Sequence, residues 1–461
     1  MDSISGIGSS CSRYIQVKMN LKGKKVTVVG LGISGMEAAL FSKEKGAKVW
    51  ITERESSPVL KKRLQKLEKK GIKGEIGKHT ISIIRKTDLM ILSSGVNPEE
   101  DWIHMIRNEG KEVIGELELG LRHLSSPYIG VTGTNGKTTT VHLLKHLLGE
   151  KVVIAGNLET PLTRVLRRGD NFSWIILEVS SFQLKTVEKF HPYISVILNI
   201  SSDHLDWHTD FTDYIVSKSK IFQQQKENDF TVWNAEEDWW KGKKVKSRLY
   251  FFSSTYHTLP GCFVKDGWII WRDKKEEGIM PVKEWRLLGR HNLSNLTAAL
   301  TVGVLLGKPF SFLRKRAKTF SGLPHRLESV RFWKGIQFIN DSKATNVDAV
   351  YHALSSFPPG VILILGGRDK GNEYSALFPL VKTNVKMIIA MGESKDKIYR
   401  EFSPVVKVVK VGSLSEGVKI ASESASSGNT VLFSPACASF DMFPDFKERG
   451  KAFCKLVKEL L

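Results

Sequence analysis

No apolar run in this sequence approaches the ~20 residues a helix needs to cross a bilayer. The opening stretch MDSISGIGSSCSRYIQ lacks the basic start and continuous apolar segment of a secretion signal, so a cytoplasmic protein with no membrane insertion is expected. Cysteine is scarce: Cys11, Cys262, Cys437 and Cys454 stand far apart with no CxxC spacing, which argues against a disulfide framework or a cysteine zinc site. Acid is the third shortage, with 69 Lys plus Arg against 48 Asp plus Glu, a net charge of +21. Such a balance makes nucleic acid the first partner to weigh. The basic runs Lys61-Lys62-Arg63, Lys69-Lys70 and Lys241 to Lys246 are scattered and interleaved with acids, as solvated helix faces and loops are. No aromatic stacking motif accompanies them, so no nucleic acid partner is expected and the surplus charge is left to attract anionic small molecules.

What is present is a rhythm of short apolar runs and longer amphipathic stretches, in a chain 41% hydrophobic and 25% charged. That is the pattern of the α/β class. A length of 461 residues spans several domains; a Ser/Gly-rich flexible tail over 1–16 and three domains over 17–124, 125–327 and 328–461 are expected. Strands are expected at 25–29, 48–52, 89–92 and 113–114 in the first domain, and at 128–132, 152–154, 174–177 and 194–198 in the second. The third should hold strands at 337–339, 361–365, 387–390 and 430–433. The first and last domains read as Rossmann-like doubly wound sheets. The central one reads as a P-loop ATPase-like parallel sheet with a small antiparallel sheet at one edge, over 226–283, where the alternation loosens.

Two glycine clusters follow strands. Gly30-Leu-Gly32-Ile-Ser-Gly35, with Glu53 closing the next strand, permits a tight turn and presents helix N–H groups to a diphosphate; the spacing does not separate NAD from a UDP-linked ligand. Thr132-Gly133-Thr134-Asn135-Gly136-Lys137-Thr138-Thr139 is a phosphate cradle in which Lys137 reaches the terminal phosphates and the Thr138 hydroxyl serves Mg²⁺. It departs from the strict pattern at Val131, where a glycine is usual. Glu178 and the pair Asp203-His204 follow later strands of the same sheet, where a carboxylate and an imidazole stand beside bound phosphates; His204 taken alone reads as a structural histidine.

The succession Gly133-Thr-Asn-Gly-Lys-Thr138, Gly156-Asn157, Glu178-Val-Ser-Ser-Phe-Gln183, Asp203-His204, Tyr214 to Lys218, His291-Asn292 with Asn295, and Pro324-His-Arg326 resembles the ordered motifs of Mur ligases. The resemblance runs from Gly30 to Arg449. Within the last domain, Asn340-Asp-Ser-Lys-Ala-Thr-Asn346 and Ser434-Pro-Ala-Cys-Ala-Ser-Phe-Asp441 are similar to the branch that adds D-glutamate. It implies ligation of D-glutamate to UDP-N-acetylmuramoyl-L-alanine through an acyl phosphate, by a monomer acting on small-molecule substrates and using ATP and two Mg²⁺ ions. The three domains would bind the UDP substrate, ATP and the amino acid in that order.

By the same resemblance, Gly133, Thr134, Asn135, Gly136, Lys137, Thr138, Thr139, Asn292, Arg326 and Asp341 would surround ATP. Thr138, Glu178, His204 and Lys218 would hold the metals, with Lys218 carried as a carbamate and Lys137, His204 and Lys218 serving catalysis. Read from its residue type alone, Lys218 is a surface helix lysine. Ile33, Ser34, Glu53, Arg54 and Gly95 would meet the uridine diphosphate end; Asn157 and Gln183, with His204, would meet the muramoyl peptide end. Thr345, Lys370, Ser439 and the Phe446 backbone would hold D-glutamate, although Lys370 by itself also reads as a charged turn. The chain departs from the family where Asp-Ser or Asp-Thr is usual and it carries Thr52-Glu53-Arg54, and where Pro is usual and it carries Ser94. Folylpolyglutamate synthases share the ATP and metal motifs but have no use for the Gly30 to Gly35 unit. An NAD-dependent oxidoreductase would leave the ATP loop idle, and a nucleic-acid-binding ATPase would explain only the charge.

Overall fold

The computed structural model describes residues 18–157, 160–169, 172–201, 208–287, 289–369 and 371–460, so the tail expected over 1–16 lies outside the described residues. Three sheets follow one another along the chain. The first has five parallel strands in the order Lys73–Ile76, Lys48–Glu53, Lys25–Val29, Leu89–Leu92, Glu112–Gly115. Its central strand is buried from Val26 onward, as a strand covered on both faces must be, which is why it reads as a nearly continuous apolar run broken only by Thr27. The order reverses beside that strand, so the Gly30 turn emerges at the switch point, where open α/β sheets leave a crevice.

The second sheet has nine strands: Glu276–Pro281, Trp268–Arg272, Gly261–Lys265, Arg248–Phe252, Phe230–Asn234, Ile194–Ile197, Tyr128–Thr132, Trp174–Glu178 and Val152–Gly156. The antiparallel part is its outer edge rather than a sheet of its own. Phe230–Asn234 and Arg248–Phe252 extend the parallel ladder, and only the last three strands turn back on one another. The turn between two of them is Asp266-Gly267, both with positive φ (48° and 74°), the dipeptide that suits a two-residue hairpin loop. The third sheet runs Glu328–Trp333, Ile336–Asn340, Thr430–Phe433, Val361–Gly366, Val385–Met391, Lys407–Lys410, parallel except for its first strand.

The described chain forms two compact units. One runs to Trp285 and resumes over Ser294–Thr319; the other comprises Arg286–Leu293 and Phe320 onward. Within the first unit, polar contacts join its two sheets. The fully buried helix Glu116–Leu121 places the Glu116 carboxylate on the Thr163 N–H and hydroxyl (2.8 and 2.6 Å). Glu118 accepts from Arg122 Nε (2.7 Å) and from the Glu188 and Lys189 N–H groups (3.0 and 3.1 Å), while Arg167 grips Glu37 and Glu44. These contacts set the Gly30 turn against the Gly156-Asn157 turn, and a cleft opens between them. Among the described residues Cys262, Cys437 and Cys454 are free thiols, and no helix is long and apolar enough to cross a membrane.

Candidate active site

The phosphate-type loop leaves the buried strand Tyr128–Thr132 and enters the helix Lys137–Leu148. Gly136 stands at the helix start with φ 83° and no side-chain cap. A Cβ there would lie 2.4 Å from Asn295 Oδ1, so glycine is required for its conformation and its crowding alike. Asn199 clamps the loop, accepting from the Asn135 N–H (2.7 Å) and donating back to its carbonyl (3.2 Å). The Thr134 hydroxyl meets Tyr214 Oη at 2.9 Å. Lys137 Nζ donates to the Gly133 and Thr134 carbonyls (2.7 and 2.8 Å), spanning the loop mouth. Thr138 follows it, half-buried, and Thr139 Oγ1 and Asn295 Nδ2 are buried with no hydrogen-bond partner among the described residues.

Glu178 ends the neighbouring strand Trp174–Glu178, 3% exposed. One of its oxygens lies 3.5 Å from Asn157 Nδ2; the other is buried and unpartnered among the described residues. A buried carboxylate oxygen without a donor is costly unless a cation or proton meets it, so this donor set fits a hard divalent cation. Lys218 is 2% exposed, which corrects its reading as a surface lysine. Its helix, Phe211–Gln223, buries Tyr214, Ser217, Lys218, Ser219, Ile221 and Phe222, and Lys218 lies one turn after Tyr214 and one turn before Ile221 and Phe222, a helical spacing visible in the sequence. Lys218 Nζ donates to the Gly133 carbonyl at 2.9 Å and approaches Thr132 Oγ1 at 3.4 Å, beneath the loop. Gln183 is buried in a capping box, accepting from the Ser180 N–H (3.1 Å) while the Ser180 hydroxyl accepts from its own N–H. His204 lies outside the described residues.

The cleft measures about 500 Å³ and is lined by Ile33, Ser34, Glu53, Arg54, Gly95 and Asn157 together, along with His79, Ser93 and Ser94. Six of the eight residues expected to meet the nucleotide sugar thus share one cavity; Gln183 is not on its wall, and His204 lies outside the described residues. Glu53 holds the turn's shape: its two carboxylate oxygens accept the Leu31 and Glu55 N–H groups (2.8 and 3.0 Å). Ser34 Oγ pairs with Ser93 Oγ (2.8 Å) and accepts the Ser94 N–H (3.2 Å). Gly32 begins the helix Ile33–Glu44 without a side-chain cap, so backbone N–H groups face outward there.

In the second unit, Asn292 and Asp341 are buried. Burial pushes the Asp341 carboxyl up to about 7, against the pull of the Ser434 hydroxyl, the Leu327 N–H and the Arg326 cation. Ser439 is buried, 3% exposed, and Thr345 is half-buried. Phe446 opens the helix Phe446–Lys458, whose cap Asp445 accepts the Lys447 and Glu448 N–H groups. Lys370 lies outside the described residues. One residue ties these segments together. Arg449, 1% exposed, donates to Ser342 Oγ, to the Ser342 carbonyl and to the Cys437 carbonyl (3.1, 2.9 and 3.0 Å), and Ser342 Oγ donates in turn to the Phe446 carbonyl (2.8 Å).

Three family descriptions match the chain: "Mur ligase MurD-like, N-terminal domain" over 24–115, "Mur ligase middle domain" over 131–303 and "Mur ligase, glutamate ligase domain" over 325–437. A UDP-N-acetylmuramoylalanine--D-glutamate ligase of Koribacter versatilis is 41% identical over 448 residues, covering 96% of this chain and 99% of that one. The chain belongs to the Mur ligase family. The enzyme of the same name from Thermoanaerobacter pseudethanolicus is 39% identical, covering 96% of this chain and all of that one. Among solved structures, a MurF ligase of Thermotoga maritima in complex with ADP has a TM-score of 0.57 at 18% identity, covering 95% of this chain and 96% of that one. The UDP-N-acetylmuramate-alanine ligase of the same organism has a TM-score of 0.55 at 20% identity, covering 94% and 99%. These two likenesses are of fold.

Some residues that shape this Mur ligase site were not singled out from the sequence. Asn199 carried a signal, an amide two residues past the strand Ile194–Ile197 in the sheet that bears the loop. Asn295 belongs to the family motif His291-Asn292 with Asn295 but has no assigned role there, and its contact with the loop follows from the crowding at Gly136. Arg449 marks only the end of the family resemblance, and no charge pattern announces that it is buried.

Proposed function

We infer that the protein joins D-glutamate to UDP-N-acetylmuramoyl-L-alanine at the expense of ATP, giving UDP-N-acetylmuramoyl-L-alanyl-D-glutamate, ADP and phosphate in the synthesis of peptidoglycan precursors. The observation that carries this reading is the identity with D-glutamate ligases along nearly the whole of both chains. The solved UDP-N-acetylmuramate-alanine ligase and MurF ligase share the fold at 20% and 18% identity.

A carboxylate does not acylate an amine at neutral pH without activation. The alanyl carboxylate attacks the γ-phosphorus of ATP, the bond to the β-phosphate oxygen breaks, and an acyl phosphate and ADP result. In this reading the loop Gly133 to Thr139 cradles the phosphates and Lys137 moves its ammonium from the loop carbonyls onto them. Asn292, Arg326 and Asp341 serve the rest of the nucleotide. The uncharged amine of D-glutamate then attacks the acyl carbon, loses a proton and expels phosphate through a tetrahedral intermediate, whose negative charge nearby cations stabilise. Thr345, Lys370, Ser439 and the Phe446 backbone are assigned the two carboxylates of D-glutamate, because a dicarboxylic amino acid needs donors at two spaced points.

Thr138, Glu178, His204 and Lys218 would hold two magnesium ions, which when bound neutralise phosphate oxygens. The unpartnered Glu178 oxygen supports this assignment. As a carbamate, Lys218 would exchange its cation for a two-oxygen anion able to ligate metal. The cleft around Gly30 and Asn157 is assigned the nucleotide sugar, with Asn157 toward its peptide end. The protein is read as a cytoplasmic monomer.

The deciding experiment is phosphate release from ATP with UDP-N-acetylmuramoyl-L-alanine and each of D-glutamate, L-glutamate, L-alanine and a diamino acid. Release that requires both the nucleotide sugar and D-glutamate is expected. Turnover with another amino acid alone would overturn the amino-acid assignment and keep the ligase class.

A further inference from the structure

Thr52 stands one residue before the end of the strand Lys48–Glu53 and is fully buried. Three groups lie within hydrogen-bond distance of its hydroxyl: Glu75 Oε1 at 3.1 Å, the Lys78 carbonyl at 3.1 Å and His79 Nδ1 at 2.8 Å. Glu75 is anchored by the Thr80 N–H and hydroxyl (2.7 and 2.6 Å). Burial opposes its ionisation, but the donors of Thr80 and Thr52 and the Lys78 cation hold the carboxyl below its ordinary range. Glu75 and the Lys78 carbonyl can therefore only accept. The single Thr52 proton goes to one of them, and the group able to donate into Oγ1 is the imidazole of His79. Placing the ring proton on Nδ1 satisfies two of the three contacts; placing it on Nε2 satisfies one.

Burial keeps this imidazole neutral by lowering its pKa, against the pull of Glu100, Glu53 and Glu75. A neutral ring with its proton on Nδ1 carries a bare lone pair on Nε2. That atom has no hydrogen-bond partner among the described residues, and His79 lines the cleft beside Glu53 and Arg54. Trp102 backs the imidazole, ring centroids 4.8 Å apart and tilted by 33°, and its own N–H is tied to Glu100 (2.7 Å).

We propose that His79 reads the base of the nucleotide sugar: Nε2 accepts the imide N–H of a uracil ring. Cytosine carries a lone pair at that ring position, so the same contact turns repulsive and selects uridine over cytidine nucleotides. This rests on the assignment of the cleft to the nucleotide sugar.

The test compares UDP-N-acetylmuramoyl-L-alanine with its N3-methyluridine analogue on the wild-type enzyme, His79→Phe, His79→Gln and Gly95→Trp. A Cβ on Gly95 meets nothing within 4 Å, so the indole enters open cleft. Loss of one neutral hydrogen bond should raise KM for the nucleotide sugar about tenfold in His79→Phe, with KM for ATP and D-glutamate unchanged. N3-methylation should cost the wild type a similar factor and His79→Phe nothing further. If His79→Phe fails to fold, the wild type still reports through the methylated substrate and His79→Gln keeps a ring-free comparison. A wild type indifferent to N3-methylation, or a His79→Phe enzyme that still discriminates, overturns the base-reading role. In that event a raised KM in Gly95→Trp keeps the cleft assignment, and an unchanged KM there removes it as well.

Discussion

Asp341→Asn should change the pH dependence of stability in a calculable way. The wild-type carboxyl is 5% exposed and burial pushes it from 3.8 up to about 7. Such a group binds more protons folded than unfolded, so folding is penalised as pH rises from the lower value to the higher, and the penalty is level above that. Linkage with those two values gives a penalty of roughly 2 kcal/mol or a little less at about pH 5 and roughly 4 kcal/mol or a little more at about pH 9. Asparagine keeps a hydrogen-bonding side chain beside Ser434 and Leu327 and does not titrate. The stability of Asp341→Asn relative to wild type should therefore improve by about 3 kcal/mol across that range, or roughly 6 to 10 °C in the melting of a unit of this size. Differential scanning calorimetry at stepped pH, following the transition of the unit that holds the third sheet, measures the difference. Parallel melting curves for the two proteins would refute the reasoning, because they would mean that Asp341 titrates alike folded and unfolded.

Gly136→Ala combines φ 83° with a Cβ 2.4 Å from Asn295; KM for ATP should rise at least ~10-fold and stability fall by ~1–2 kcal/mol, checked by kinetics and calorimetry together. Lys218→Ala should lose ~100-fold or more in turnover, and a short carboxylate such as acetate should restore part of it; loss without rescue would count against the carbamate. Arg122→Met removes the cation and the donor from one oxygen of the Glu118 carboxylate, 0% exposed, leaving the other on the Glu188 and Lys189 N–H groups, and should cost ~3 kcal/mol, part of which the double variant with Glu118→Gln recovers in a thermal melt.

Most of the sheet scaffold was legible because its strands are covered on both faces and so appear as apolar runs: Lys25–Val29, Leu89–Leu92, Tyr128–Thr132 and Thr430–Phe433 begin and end where the runs do. Strands that escaped notice sit at edges. Lys73–Ile76, Lys407–Lys410 and Glu328–Trp333 are only partly buried, and their composition answers to one covered face or to none. The glycine loops were readable because backbone geometry forces the residue type. The co-location of Ser34, Glu53, Gly95 and Asn157 in the cleft was legible only through the family resemblance and not from the residue pattern, since it depends on how two sheets separated in sequence are held by Arg167, Glu118 and Thr163. Lys218 shows the opposite case: its helical spacing pointed inward, while its charge argued for the surface.

Two residues lining the cleft, Gly30 and Gly156, are held in place by their surroundings. A side chain at Gly30 would meet Ser93 Cβ at 2.8 Å, and one at Gly156 would meet the Glu178 carbonyl at 2.2 Å. An inhibitor that grips these backbone positions is therefore shielded from escape by point mutation, because the substitutions that would dislodge it also break the wall they stand in. One that leans on the exposed Arg54 or Ile33 has no such protection, and resistance should arise there first.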